Sequence, residues 1–101
     1  MNGSLEATLQ VNSVFIDLNP FVEQFLARTV AGAVSSLRGA EDMRSLGLYL
    51  EQGDVRIIVN GEELPLTPFP NDIIANTMIG LVSSLKGVGK IDSIKVSVKI
   101  Q

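Results

Sequence analysis

The chain has 101 residues, 46% apolar and 19% charged, and a net charge of −3, a composition that suits one globular domain with its own core and excludes a disordered segment. It contains no cysteine and no histidine, which removes disulfide frames, thiolate nucleophiles, zinc-finger spacings and the commonest general base. The acidic balance has the wrong sign for wrapping nucleic acid, no basic segment precedes an apolar one at the start, and no apolar run approaches a membrane span, so a cytoplasmic protein without nucleic-acid or membrane partners is expected.

The first element reads as a hairpin. Turning at Asn12-Ser13 places Ala7, Leu9, Val11, Val14, Ile16 and Leu18 on one face. A helix follows, with Asn19 as its N-cap and Pro20 at the first helical position. It is expected to run to Arg38, a cation suited to the negative end of the helix dipole, with Gly39 just beyond. Leu46, Leu48 and Leu50 then alternate with Gly47 and Tyr49, which predicts a strand. Gln52-Gly53 is a connection too short to separate domains.

From here the order recurs. Val55, Ile57 and Val59 lead into Asn60-Gly61, the strongest short signal for a two-residue hairpin. That turn pairs Val59 with Glu62, Ile57 with Leu64 and Val55 with Leu66. Thr67 is the cap of a second helix, Pro68 opens it, and Pro70 falls in the first turn, where a missing N–H costs no helical bond. The helix is expected to reach Lys86, before Gly87. Ile94, Val96, Val98 and Ile100 alternate with Lys95, Ser97 and Lys99 in a last strand.

The recurrence extends to individual residues. Shifted by 48, residues 6–53 lie on 54–101 without a gap, and fourteen of the 48 pairs are identical. A unit of this length cannot bury its apolar face alone. The expected fold is therefore α+β: a single domain, 1–101, of two ββαβ repeats (1–53 and 54–101). They form a six-stranded, mainly antiparallel sheet with both helices on one face, about an approximate two-fold axis. The strand order does not follow from this argument.

Both helices are apolar over more than one stripe. The first carries Phe21, Val22, Phe25, Leu26, Val30, Val34 and Leu37; the second carries Phe69, Ile73, Ile74, Met78, Ile79, Leu81, Val82 and Leu85. A helix resting only on a sheet is polar over about half its surface. Thr29, Gly32 and Ser36 form a small-residue stripe matched by Thr77, Gly80 and Ser84. The stripe predicts a close helix–helix contact, in which Gly80→Leu would clash; the alternatives are the floor of a ligand groove or a contact to a second molecule. On the outer sheet face, alternation places Phe15, Tyr49 and Ile58 among charged neighbours. They read either as scattered surface residues or as a surface for a protein partner or self-association.

No constellation supports catalysis. Gly87-Val88-Gly89-Lys90 shares the tail of a phosphate loop, but Ser84 and Ile91 stand where glycine and a hydroxyl residue are required, and the segment leaves a helix rather than opening one. Ser35-Ser36 and Ser83-Ser84 have no histidine to activate them and read as serines bonded to the preceding turn. Glu41-Asp42 and Glu62-Glu63 read as solvent-facing acids, and Asn19-Pro20-Phe21 as a cap. Two helix N-termini could offer N–H groups to an anion, although proline removes donors there. No catalytic residue, cofactor or metal site is expected.

Residues 19–39, Asn-Pro-Phe-Val-x-x-Phe-Leu-x-x-Thr-Val-x-Gly-x-Val-Ser-Ser-Leu-Arg-Gly, and their counterpart 67–87 resemble a C-terminal ββαβ segment of molybdopterin-guanine dinucleotide biosynthesis adaptor proteins. With the Val59-Asn60-Gly61 hairpin, the resemblance covers about 45 residues of each half. Those adaptors bind guanine nucleotide through a phosphate loop, which this chain lacks, so the resemblance implies an accessory module and not a GTP-dependent activity. The expected function is a non-enzymatic interaction or assembly module, accessory to molybdenum-cofactor biosynthesis. It would act by burying Phe15, Tyr49 and Ile58, or the broad helix faces, against a partner. The alternative is a small-molecule binder with a pocket between sheet and helices.

Overall fold

The computed structural model describes residues 5–37 and 42–100. Its elements, in order, are β1 (Leu5–Val11), β2 (Val14–Ile16), α1 (Pro20–Ser35), β3 (Ser45–Glu51), β4 (Asp54–Val59), β5 (Glu62–Leu64), α2 (Pro68–Ser83) and β6 (Ser93–Ile100). The α+β expectation holds: six strands form one sheet, and every neighbouring pair is antiparallel.

The strand order is β2-β1-β6-β3-β4-β5. Counted inward from either edge, the sheet meets a hairpin and then the closing strand that follows the other helix. β6 pairs with β1 along Leu5↔Ile100 to Val11↔Ile94, and β3 pairs with β4 along Leu46↔Val59 to Glu51↔Asp54. The two closing strands meet at the centre, with Leu48 opposite Val96.

Three two-residue turns set the register. Asn12 and Ser13 (φ 52° and 69°), Asn60 and Gly61 (51° and 87°), and Gln52 and Gly53 (51° and 83°) all take the left-handed conformation, which matches the twist of the strands they join. Val59↔Glu62 and Ile57↔Leu64 pair as expected. The expected Val55–Leu66 pair does not form, because β5 ends at Leu64. Val14 also departs from expectation: at the hairpin tip, on an edge strand, it is exposed.

The helices start where the sequence signals place them but end earlier than expected, at Ser35 and Ser83 rather than in the basic residues. Ser36 and Leu37 already bond three residues back, to Ala33 and Val34. The Ser35 and Ser36 hydroxyls take the Gly32 carbonyl at 2.9 and 3.2 Å, while Ser83 bonds to the Ile79 carbonyl and Ser84 to that of Gly80 at 3.0 Å. Serines that satisfy the last carbonyls this way end a helix without a basic residue. Arg38, Gly39 and Glu41 lie outside the described residues. At the N-termini, Asn19 Oδ1 accepts the Val22 N–H at 2.8 Å, whereas Thr67 makes no side-chain cap. The residue equivalent to Val22 is Pro70, which has no N–H to give.

Both helices cover one face of the sheet. Leu9, Leu48, Ile57 and Val96 are fully buried under Leu26, Val30, Val34, Met78 and Val82. No polar side chain is buried among the described residues.

Candidate interaction surface on the helix layer

The position of each helix is set by polar side chains at its start. β2 pairs only with Leu9–Val11, so the first half of β1 has no strand neighbour on that side. Unpaired, part-buried backbone groups are costly and need partners. Glu23 Oε2 accepts the Ala7 N–H at 3.0 Å, and Gln24 Nε2 donates to the Leu5 carbonyl at 2.8 Å. On the other half, Asn71 does both jobs: its Oδ1 accepts the Val55 N–H and its Nδ2 donates to the Gly53 carbonyl, each at 2.8 Å. These clamps seat α1 on β1 and α2 on β4.

The clamps also keep the helices apart. β1 and β4 are three positions apart in the sheet, so at about 4.8 Å per strand the helix tracks lie roughly 14 Å apart. Packed helices approach to about 8–10 Å. A groove therefore runs between the two antiparallel helices, in two sections. The first, about 340 Å³, is lined by Phe21, Val22 and Phe25 of α1 and by Gly80, Leu81, Ser84 and Leu85 at the α2 end. The second, about 360 Å³, has Ala33, Ser36 and Leu37 facing Phe69, Pro70, Ile73 and Thr77.

This overturns the expected helix–helix contact through Thr29, Gly32, Ser36, Thr77, Gly80 and Ser84. Gly32, Ser36, Thr77, Gly80 and Ser84 are exposed, and Thr29 is half-buried. A Cβ built on Gly32 or on Gly80 meets nothing within 4 Å. Ser36, Thr77, Gly80 and Ser84 line open grooves, and a side chain at position 80 starts out into open space rather than into the other helix.

The groove walls carry unusual apolar exposure. Phe21 is 73% exposed, Phe25 53%, Phe69 74% and Ile73 50%. The Phe21 and Phe25 rings contact each other, tilted, at 5.9 Å between centroids. Exposed charge on the two helices is limited to Arg28 and Asp72. Soluble monomeric proteins rarely leave an apolar patch of this kind so free of charge.

The outer sheet face is different. It carries Glu6, Glu51, Arg56, Glu63, Lys95 and Lys99, all exposed. Phe15, Tyr49 and Ile58 do not form one patch there. Phe15, 67% exposed on the edge strand β2, is separated from Tyr49 by Gln10 and Lys95 in the cross-strand row. Tyr49 and Ile58 sit on neighbouring strands and are half-buried. The Tyr49 ring lies over Gly47, where a Cβ would stand 3.2 Å from Tyr49 Cε1, and Lys95 Nζ stands 5.4 Å from its centroid. Arg56 pairs with Glu63 at 3.2 Å, and that hydrogen bond and charge raise the guanidinium pKa above its usual value.

Among the described residues no three potential ligands group around a metal position, and no helix is long and apolar enough to cross a membrane. The sequence identified the apolar helix faces but not the clamp residues Glu23, Gln24 and Asn71; the shortness of β2 is the signal that leads to them. No protein-family model, no curated protein and no solved structure matches the chain.

Proposed function

We propose that this chain is a non-enzymatic docking module, an internal pseudo-dimer whose working surface is its helix layer. The observation that carries the reading is the exposure of Phe21, Phe25, Phe69 and Ile73 along grooves almost free of charge. Burying a phenylalanine or isoleucine that is otherwise exposed contributes about 1.5–3 kcal/mol, so these three phenylalanines and one isoleucine supply a strong incentive to bind. The process we assign it to is molybdenum-cofactor biosynthesis, as an accessory part, on the resemblance of residues 19–39 and 67–87 to the adaptor segment.

A photo-crosslinking amino acid at Phe25, incorporated in the native host, tests the surface, with the same residue at Phe15 as the comparison. Adducts from position 25 and none from position 15 are expected. The absence of adducts from position 25 would retire the docking reading.

A small apolar ligand in the first groove is the second reading, favoured by that groove's apolar lining and its volume of about 340 Å³, within the usual range for ligand sites. It ranks lower because the one side-chain polar group there, the Ser84 hydroxyl, is already bonded to the Gly80 carbonyl.

A further inference from the structure

Resting on the docking reading above, we infer that the occupant of the helix layer is a second copy of this chain, packed helix layer to helix layer. The layer is complementary to itself in shape. Along the exposed crest of each helix the residues pass from bulky to small: Phe21 and Phe25 precede Gly32 and Ser36, and Phe69 and Ile73 precede Gly80 and Ser84, with Ile79, 41% exposed and lining neither groove, as the exception. The helices are antiparallel, so the high corners of the layer lie on one diagonal and the low corners on the other. A two-fold axis in the plane of the layer, along or across the helices, sets every high corner over a low one. The face is thus complementary to itself, as an isologous contact requires. The open space over Gly32 and Gly80 is then the recess for an aromatic ring of the other copy.

Charge distinguishes the two axes. Arg28 sits near the middle of α1, and the residue at the same place on α2 is Asn76. An axis along the helices puts each Arg28 opposite the second copy's Asn76; an axis across them would set arginine over arginine. The structure therefore favours α1 stacking on the second copy's α2.

The area of the layer points the same way. A 16-residue helix is about 24 Å long and about 10 Å wide, and the tracks are roughly 14 Å apart. The layer presents on the order of 600 Å² in projection, and more as corrugated accessible surface, which approaches the roughly 800 Å² per partner of a stable complex.

The test is the solution mass of purified protein, with spin labels as a second readout. The expected mass is 21.6 kDa, twice the 10.8 kDa chain. Phe25→Asp with Ile73→Asp should halve it while leaving the circular dichroism unchanged, and Phe15→Glu should leave the dimer intact. The chain lacks cysteine, so Arg28→Cys and Lys95→Cys each take one label. In the helix-layer dimer the two Arg28 labels face the same seam, offset by one helix spacing of roughly 14 Å, whereas the Lys95 labels lie about 36 Å apart, twice the 18 Å thickness of the molecule. A wild type that stays monomeric at millimolar concentration overturns the inference, as does a dimer in which the Lys95 labels are the closer pair. In either case, adducts from position 25 to a different protein would leave the docking reading standing, and their absence would end both.

Discussion

Asn12 and Asn60 hold opposite ends of the sheet with one and the same set of bonds. Asn12 Oδ1 accepts the N–H groups of Asp92 and Ser93 at 2.7 and 3.0 Å, and its Nδ2 donates to the Lys90 carbonyl at 2.8 Å. Asn60 Oδ1 accepts those of Arg44 and Ser45 at 2.8 and 3.1 Å, and its Nδ2 donates to the Asp42 carbonyl at 2.9 Å. Every partner differs by 48. Each asparagine sits in a hairpin turn of one half and fixes the entry of the closing strand that belongs to the other hairpin's helix. The turn that sets local register thus also sets which strand is exchanged.

Asn60→Ala removes these three bonds and leaves a non-glycine residue at φ 51° without its local compensation. Net hydrogen bonds contribute about 0.5–1.5 kcal/mol each, and the left-handed conformation costs an alanine about 1 kcal/mol. A loss of about 2.5–5.5 kcal/mol is expected in urea denaturation, with Asn12→Ala similar. Asn60→Asp keeps the acceptor and should lose less. An alanine variant within error of wild type would show that the turn needs no bracket.

Asn71→Ala should be more harmful than its position at a helix start suggests. It strips the partner from the part-buried Val55 N–H, a loss that costs about 1–3 kcal/mol, and also the bond to the exposed Gly53 carbonyl. Glu23→Ala frees only the Ala7 N–H and should cost less. Amide hydrogen exchange gives the local check: protection at Val55 should fall in the Asn71 variant while that of Val96 follows global stability.

Gly80→Ala is expected to stabilise the isolated chain by about 0.5–1 kcal/mol, the ordinary gain of alanine over glycine in a helix, since nothing stands within 4 Å of the new methyl. Thermal melting at low concentration reads this directly. A destabilised variant would mean that the helices approach more closely than the structure places them.

The glycines also show where sequence reading reaches its limit. Asn60-Gly61 announces its hairpin because positive φ is a local demand that few residues meet. Alternation at Leu46-Leu48-Leu50 and Ile94-Val96-Val98 gives the buried face for an equally local reason. Small residues on a helix say only that something is permitted to come close. Whether the second helix does so depends on the distance between β1 and β4, hence on strand order, and strand order is non-local. The exposed Phe21 and Phe69 were similarly opaque: at helical spacing they look like core, and only the 14 Å separation of the helix tracks, about three strand spacings, strands them at the surface.

That exposure makes the last prediction a contrast in concentration dependence. Leu26→Ala and Met78→Ala delete side chains that are 0% and 2% exposed, and should each cost about 2–5 kcal/mol at any protein concentration. Phe21→Ala and Phe69→Ala remove rings that contact little within the chain, and at high dilution should change stability by less than about 0.5 kcal/mol, as surface substitutions do. Association stabilises the folded form by mass action, so the wild-type melting temperature should climb with concentration, and the phenylalanine variants should lose that climb. Melting curves at two concentrations separate the outcomes: parallel losses at both would make Phe21 and Phe69 part of the fold, and a loss confined to the concentrated sample makes them part of an interface.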